Sequence, residues 1–250
     1  MEVNTKQRSA FSGIPRVPTG IFGLDDIIEG GFEKNSLNIV AGETGSGKTL
    51  FAFQFVYMGA YKYNDSSLFI SFEETKEELK RRMGRFGFDI NGMEAKGKLF
   101  LYNYSPKEIN KFAEELPQIE ANIKKNRIAR IALDSLSTFS LFFDSESKKR
   151  QELITLIDKF RKIESTVVMT CELKLPSTSE EAEESFSLEC LADSIIALYS
   201  TRKSDVRNLG LEVVKMRGTN HSRKINPMRI VPSGMIVYPD MPFTQSSNQK

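Results

Sequence analysis

Short apolar runs alternate along this chain with longer stretches whose apolar positions recur every three or four residues. The runs "SLNIVA", "SSLFISF", "KLFLYNY", "RIARIALD" and "STVVMTCE" are rich in β-branched and aromatic residues and read as strands. Between them Lys48–Tyr61, "TKEELKRRMGRFGF", Pro106–Lys125 and "SESKKRQELITLIDKFRKI" read as helices. Leu153, Ile154, Ile157 and Phe160 fall on one face of the last of these, Pro117 is expected to bend the third, and Thr75 with Glu78 forms a capping box on the second. This alternation predicts an α/β fold, a mainly parallel sheet with helices on both faces. After about residue 190 the helical spacing stops. "DSIIALYS", "NLGLEVVKMR", "KINPMRIVP" and "GMIVYP" follow as short strands, which predicts an antiparallel extension of the same sheet. Residues 1–16 read as a flexible N-terminal arm, 17–239 as a single domain and 240–250 as a polar tail.

The first strand runs directly into "GETGSGKT", Gly42 to Thr49, which fits G-x-x-x-x-G-K-[ST] without a gap. Glycines at 42, 45 and 47 let successive backbone N–H groups converge on one point, a nest for phosphate oxygens. Thr44, Gly45, Ser46, Gly47, Lys48, Thr49 and Leu50 form the expected nucleotide-binding loop, with the positive end of the following helix aimed at the same anion. Lys48 is placed to reach the terminal phosphates, and the Thr49 hydroxyl to ligate Mg²⁺.

Three further groups complete the expected chemistry. "RIALD" ends an apolar strand in Asp134, a carboxylate suited to holding Mg²⁺ beside Thr49, and a strand next to the phosphate-loop strand would deliver it. "LFISFEE" ends in Glu73 and Glu74. A strand lying between the loop strand and its neighbours would bring them to the crevice, where one could deprotonate a water for attack on the γ-phosphate. Strand alternation points adjacent residues to opposite faces, so one of the two is expected to be the base. Finally, "EVVKMRGTNHSRK" offers Lys215, Arg217 and His221, the chain's one histidine, as a second hand on the nucleotide or as a solvated basic hairpin. No N-K-x-D occurs, which disfavours guanine.

Composition narrows the class. The chain carries 35 basic and 33 acidic residues, a balance that names no polyanionic partner. The segment after "STVVMTC", Glu172 to Glu189, holds six glutamates against one lysine and would repel nucleic-acid phosphate, which argues against DNA strand exchange. Lys80-Arg81-Arg82, Lys124-Lys125 and Lys148-Lys149-Arg150 fall on predicted helices and read as solvated outer faces. Cys171 and Cys190 lack metal-ligand spacing and read as buried thiols of a reducing compartment. The polar N-terminus has no signal-peptide core and no apolar run approaches 18 residues, so the expectation is a cytoplasmic protein without a membrane span.

"PTGIFGLD", "GETGSGKTLFAFQF", "SFEET", "LDSLS", "STVVMTCE" and "KMRGTNH" occur in this order from about Val17 to Pro239, and the chain resembles a single KaiC-type domain of the RecA-like P-loop ATPase superfamily. The resemblance implies a homohexameric ring with ATP at each subunit interface, Mg²⁺ on Thr49 and Asp134, and Glu73 and Glu74 as the catalytic pair. It implies that Lys215, Arg217 and His221 act in trans on the neighbour's γ-phosphate, and that turnover is slow and regulatory. The clock protein of the family is a tandem of two such domains, of which the second carries a phosphorylated Ser-Thr pair. Here "LECLADS" has Glu189 and Cys190 at that place, so the chain is similar to the first, hydrolysing half. The alternatives are a nucleotide-gated interaction scaffold, a Ser/Thr autokinase and, least favoured, a RecA-like recombination factor.

Overall fold

The computed structural model describes residues 13–105, 108–172, 191–203 and 206–243. Five strands follow the phosphate-loop alternation: β3 (Leu37–Gly42), β4 (Ser66–Ser71), β5 (Leu99–Asn103), β6 (Ile128–Asp134) and β7 (Thr166–Glu172), all parallel. β8 (Ser194–Lys203) also runs parallel to β3, and β9 (Val206–Met216), β10 (Asn226–Val231) and β11 (Gly234–Val237) extend the sheet antiparallel. The nine strands lie in the order β11-β10-β9-β8-β3-β7-β6-β4-β5. The expected mixed sheet is therefore present. Its order corrects two expectations: β6 is not beside β3, because β7 lies between them, and β4 is outside β6 rather than next to the loop strand. The hydrophobic pattern sets which residues form strands but leaves the choice of neighbour to the crossovers.

A small ribbon of β1 (Arg16–Val17) and β2 (Phe32–Glu33) precedes the sheet, so ordered chain reaches back to Arg16 and beyond. Residues 1–12 and 244–250 of the arm and tail lie outside the described residues, as do Cys190 and the acidic stretch 173–189. Cys171, on β7, is half-buried rather than buried.

Helices cover both faces. α1 (Leu24–Ile27), α2 (Lys48–Lys62), α3 (Lys76–Gly84) and α4 (Ile90–Ala95) pack on one side through Phe51, Phe53, Phe55 and Phe69. On the other lie α5 (Ile109–Lys125), α6 (Leu136–Ser140) and α7 (Glu146–Arg161), joined through Phe72, Phe112, Phe139 and Phe160. The short helices α4 and α6 have too few residues for a readable period and escape sequence analysis. The capping box is present: Thr75 accepts from the Glu78 backbone, and Glu78 accepts from Thr75. α5 runs unbroken through Pro117.

α2 is apolar nearly all round because it packs against the five parallel strands β3 to β7 and also against β11 and α4, with Leu50 to Tyr57 entirely buried. One cation is enclosed against it. Arg130 on β6 is 1% exposed; its Nε donates to Asp65 Oδ2 at 2.8 Å and its Nη1 to Pro18 O at 2.6 Å. Its guanidinium lies over the rings of Phe55 and Tyr63. Gly59 makes the room, since a Cβ there would overlap Arg130 Cδ.

Candidate functional site

The C-terminal ends of β3, β7, β6 and β4 meet at one edge of the sheet, the edge at which open α/β sheets bind ligands. Gly42 begins the phosphate loop there, paired with Glu172 on one side and Leu198 on the other. Gly45 (φ 82°) and Gly47 (φ 101°) adopt left-handed backbone, which side chains other than glycine's resist. Gly47 caps α2, so that helix starts at Lys48 with its unpaired N–H groups facing the loop. The Lys48 ammonium donates to the loop's own carbonyls, Gly42 O at 2.8 Å and Glu43 O at 3.0 Å. The sequence-predicted residues from Thr44 to Leu50 line a cavity of about 550 Å³ here, except Ser46, which is buried beneath it with an unpartnered hydroxyl.

Asp134 reaches this corner despite the intervening strand. The Thr170 hydroxyl on β7, the strand between, donates to its Oδ1 at 2.5 Å. Its Oδ2 is buried without a hydrogen-bond partner in the structure. Burial pushes the Asp134 pKa up to about 6, against the hydroxyls of Thr170 and Thr49 and the Lys48 ammonium, which favour the charged form; Glu73 nearby pushes it further up. A buried carboxylate oxygen without a donor, beside a threonine hydroxyl, fits a hard divalent cation with oxygen ligands. In the absence of such an ion the charge is a cost to the fold. Asp134→Asn is therefore expected to raise the thermal midpoint of nucleotide-free protein by about 2–4 °C, measured by calorimetry in chelator, an increment of ~1 kcal/mol for a chain of this size.

Glu73 and Glu74 follow the last residue of β4, and both line the cavity. The expected alternation fails because the strand has already ended at Ser71, whose hydroxyl accepts from both backbone N–H groups. Their partners differ. Glu73 Oε1 accepts from Ser135 Oγ at 2.6 Å and Thr138 Oγ1 at 2.8 Å, at the start of α6. Glu74 Oε1 pairs with Arg82 at 2.5 Å, while its other oxygen is buried without a partner. Burial raises the Glu74 pKa, with Arg82 opposing the shift. Arg82, read from sequence as part of a solvated basic face, thus lines the cavity instead.

Several lining groups lie outside the sequence motifs. Met83 and Phe86 from the end of α3, with Ile230 of β10, form an apolar wall beside Leu50. Ile230 is 40% exposed there, and no motif marks it. Glu172 at the end of β7 accepts from Thr44 Oγ1 at 2.9 Å. It carries the same signal as Asp134, an apolar strand ending in an acid, and could have been found that way.

Lys215, Arg217 and His221 are not brought to this cavity. Lys215 pairs with Ile195 and Met216 with Ser194, and Ser194 lies beside Asn38 at the start of β3. From Leu37 to Gly42 the strand covers about 16 Å, which places these groups at the opposite end of the sheet from the loop. Lys215 Nζ donates to Ala192 O at 2.8 Å, and Arg217 pairs with Asp193 at 3.4 Å. The following turn is held by Arg16, which donates to Thr219 Oγ1 at 2.7 Å and to Gly218 O at 3.3 Å. His221 Nδ1 lies 2.9 Å from Ser222 O.

Among the described residues no helix is long and apolar enough to cross a membrane. A family model described as "ATPase: KaiC" matches residues 17–241. The chain is 31% identical over 96% of its length to the circadian clock oscillator protein KaiC of Parathermosynechococcus lividus, and 30% identical, over 96%, to that of Synechococcus elongatus. It spans about half the length of these curated relatives, 46% and 48% respectively. The crystal structure of a KaiC-like protein from Pyrococcus horikoshii superposes with a TM-score of 0.79 at 31% identity, covering 90% of this chain and 100% of that one. With the nine-stranded mixed sheet and the phosphate loop at its edge, these matches place the chain in the KaiC ATPase family.

Proposed function

We propose that the protein is a Mg²⁺-dependent ATPase that works as a homo-oligomeric, hexameric ring, slowly and in a regulatory role. The observation that carries this reading is the division of the catalytic groups between the two ends of the sheet. The loop, Asp134 and Glu73 lie at one end, and Lys215 with Arg217 at the other. A cation pair turned away from its own phosphate loop fits a neighbour's nucleotide in a head-to-tail assembly.

In the proposed site the Gly45–Leu50 backbone and Lys48 bind the phosphates, and the Leu50, Met83, Phe86 and Ile230 wall receives the base. Thr49 and Asp134 would hold Mg²⁺, which supplies neutralisation of charge developing on the phosphate oxygens. Glu73 orients the attacking water and accepts its proton, steadied by the Ser135 and Thr138 hydroxyls, while Glu74 is engaged with Arg82. Lys215 and Arg217 of the adjacent subunit stabilise the γ-phosphate charge. DNA strand exchange is not proposed.

The test is solution mass by light scattering, with phosphate release followed in parallel. A mass near six times 28.3 kDa that requires Mg²⁺ and a non-hydrolysable ATP analogue, with turnover under Mg²⁺-ATP, is expected. A monomer in both conditions overturns the shared site. Tight nucleotide binding with negligible turnover overturns the enzyme in favour of a scaffold, and phosphate transfer onto the protein would identify an autokinase.

A further inference from the structure

The two cations assigned to the neighbouring site are held by one short segment. Ala192 supplies the carbonyl that receives Lys215 Nζ at 2.8 Å. Asp193 supplies its backbone carbonyl to Arg217 N at 3.0 Å and its carboxylate Oδ1 to Arg217 Nη1 at 3.4 Å. The segment is itself anchored. Asp193 N donates to Leu37 O at 2.8 Å, and Leu37 N donates to Asp193 Oδ2 at 3.0 Å, so the residue is fastened at two points to the start of β3. Arg161, at the end of α7, shares Oδ1 at 3.4 Å.

The carboxylate therefore has one oxygen committed to the sheet and the other to two guanidinium groups. Asp193 is about a quarter exposed and the Arg217 side chain about half exposed. An ion pair of that exposure adds little to stability. What it does is restrict the directions a long side chain samples, and orientation is what a group acting on a neighbour's transition state requires.

We propose that Asp193 is a positioning residue for the trans cations. Its carboxylate, fixed to the β3 backbone, holds Arg217 in the pose from which it meets the adjacent subunit's γ-phosphate, while Ala192 O holds Lys215. The proposal rests on the trans reading above. Asp193 touches no nucleotide; it acts through Arg217.

Asp193→Asn retains an acceptor for Leu37 N and the backbone bonds but removes the charge that aligns the guanidinium. Its kcat is expected to fall about tenfold at unchanged solution mass, with KM for ATP within about twofold, the pattern of an interaction made only in the transition state. The decisive readout is complementation. Asp193→Asn subunits keep an intact loop and Glu73, whereas a Glu73→Gln/Glu74→Gln double variant keeps an intact Lys215–Arg217 pair. Mixed before assembly, they should recover activity above the weighted mean of the separate proteins, and Arg217→Ala mixed with the double variant should do the same.

If Arg217→Ala is not rescued, the trans reading fails and this proposal with it. If Arg217→Ala is rescued but Asp193→Asn is not, or if Asp193→Asn keeps the wild-type kcat, the positioning role alone is overturned. Loss of the assembled mass in Asp193→Asn would reduce the residue to a structural one. Asp193→Glu, which restores the charge one methylene further out, is expected to regain part of the lost kcat if alignment of Arg217 is the cause.

Discussion

Replacing Glu73 by Gln is expected to lower ATP turnover by ~10²–10⁴-fold, the usual contribution of a positioned general base, with nucleotide binding left within a few-fold of the parent. The expectation follows from where the two carboxylates point. Glu73 accepts from Ser135 and Thr138 at the corner it shares with Asp134, so a water bound there would meet an oriented acceptor beside the proposed Mg²⁺ ligands. Gln keeps the size and can still accept one of those hydroxyl bonds, but cannot take a proton. Glu74→Gln is expected to lose less, because Glu74 is already paired with Arg82. Phosphate release in a single turnover, with binding measured separately, distinguishes the two. A large loss in Glu74→Gln beside a near-normal Glu73→Gln would exchange their roles.

The second large effect is on stability. Arg130→Ala is expected to destabilise the fold by about 3–5 kcal/mol, the range for breaking a buried ion pair from one side, read as a shift in the denaturant midpoint at constant slope. Pro18 O and Asp65 each lose a donor, two rings lose the cation stacked on them, and the space that Gly59 leaves open becomes a void. Arg130→Met should recover part of this by filling the volume. An Arg130→Ala protein as stable as the parent would mean that the enclosed guanidinium contributes nothing net.

The sequence made the phosphate loop readable because a nest of backbone N–H groups is built by adjacent residues, and the glycines and Lys-Thr that build it sit side by side. The Thr75–Glu78 box was readable for the same reason. Strand order was not. Nothing local in "RIALD" says that β7 will come between it and β3, or that Thr170 on β7 will be the hydroxyl that meets Asp134. The cleft-facing position of Arg82 is invisible in sequence because a charge on an amphipathic helix looks the same whether it faces water or a cleft. The apolar wall had no signal at all: Phe86 and Ile230 are 144 positions apart, and ordinary hydrophobic residues carry no mark of the side they line. The last strands were legible as strands, but that β9 carries Lys215 to the far end of the sheet follows from its antiparallel register with β8.

That register has an arithmetic consequence. With Lys215 and Arg217 serving a neighbour's nucleotide, as proposed, each subunit would carry two unlike half-sites at opposite ends; in a head-to-tail chain of n subunits only n − 1 nucleotides would then be completed, and only closure would complete the last. A pair of subunits would work at half the per-chain rate of a closed ring, and a lone one at none. Specific activity, followed down a dilution series, would then count seams rather than molecules, and a step from fractional to full rate would mark the concentration at which the circle closes.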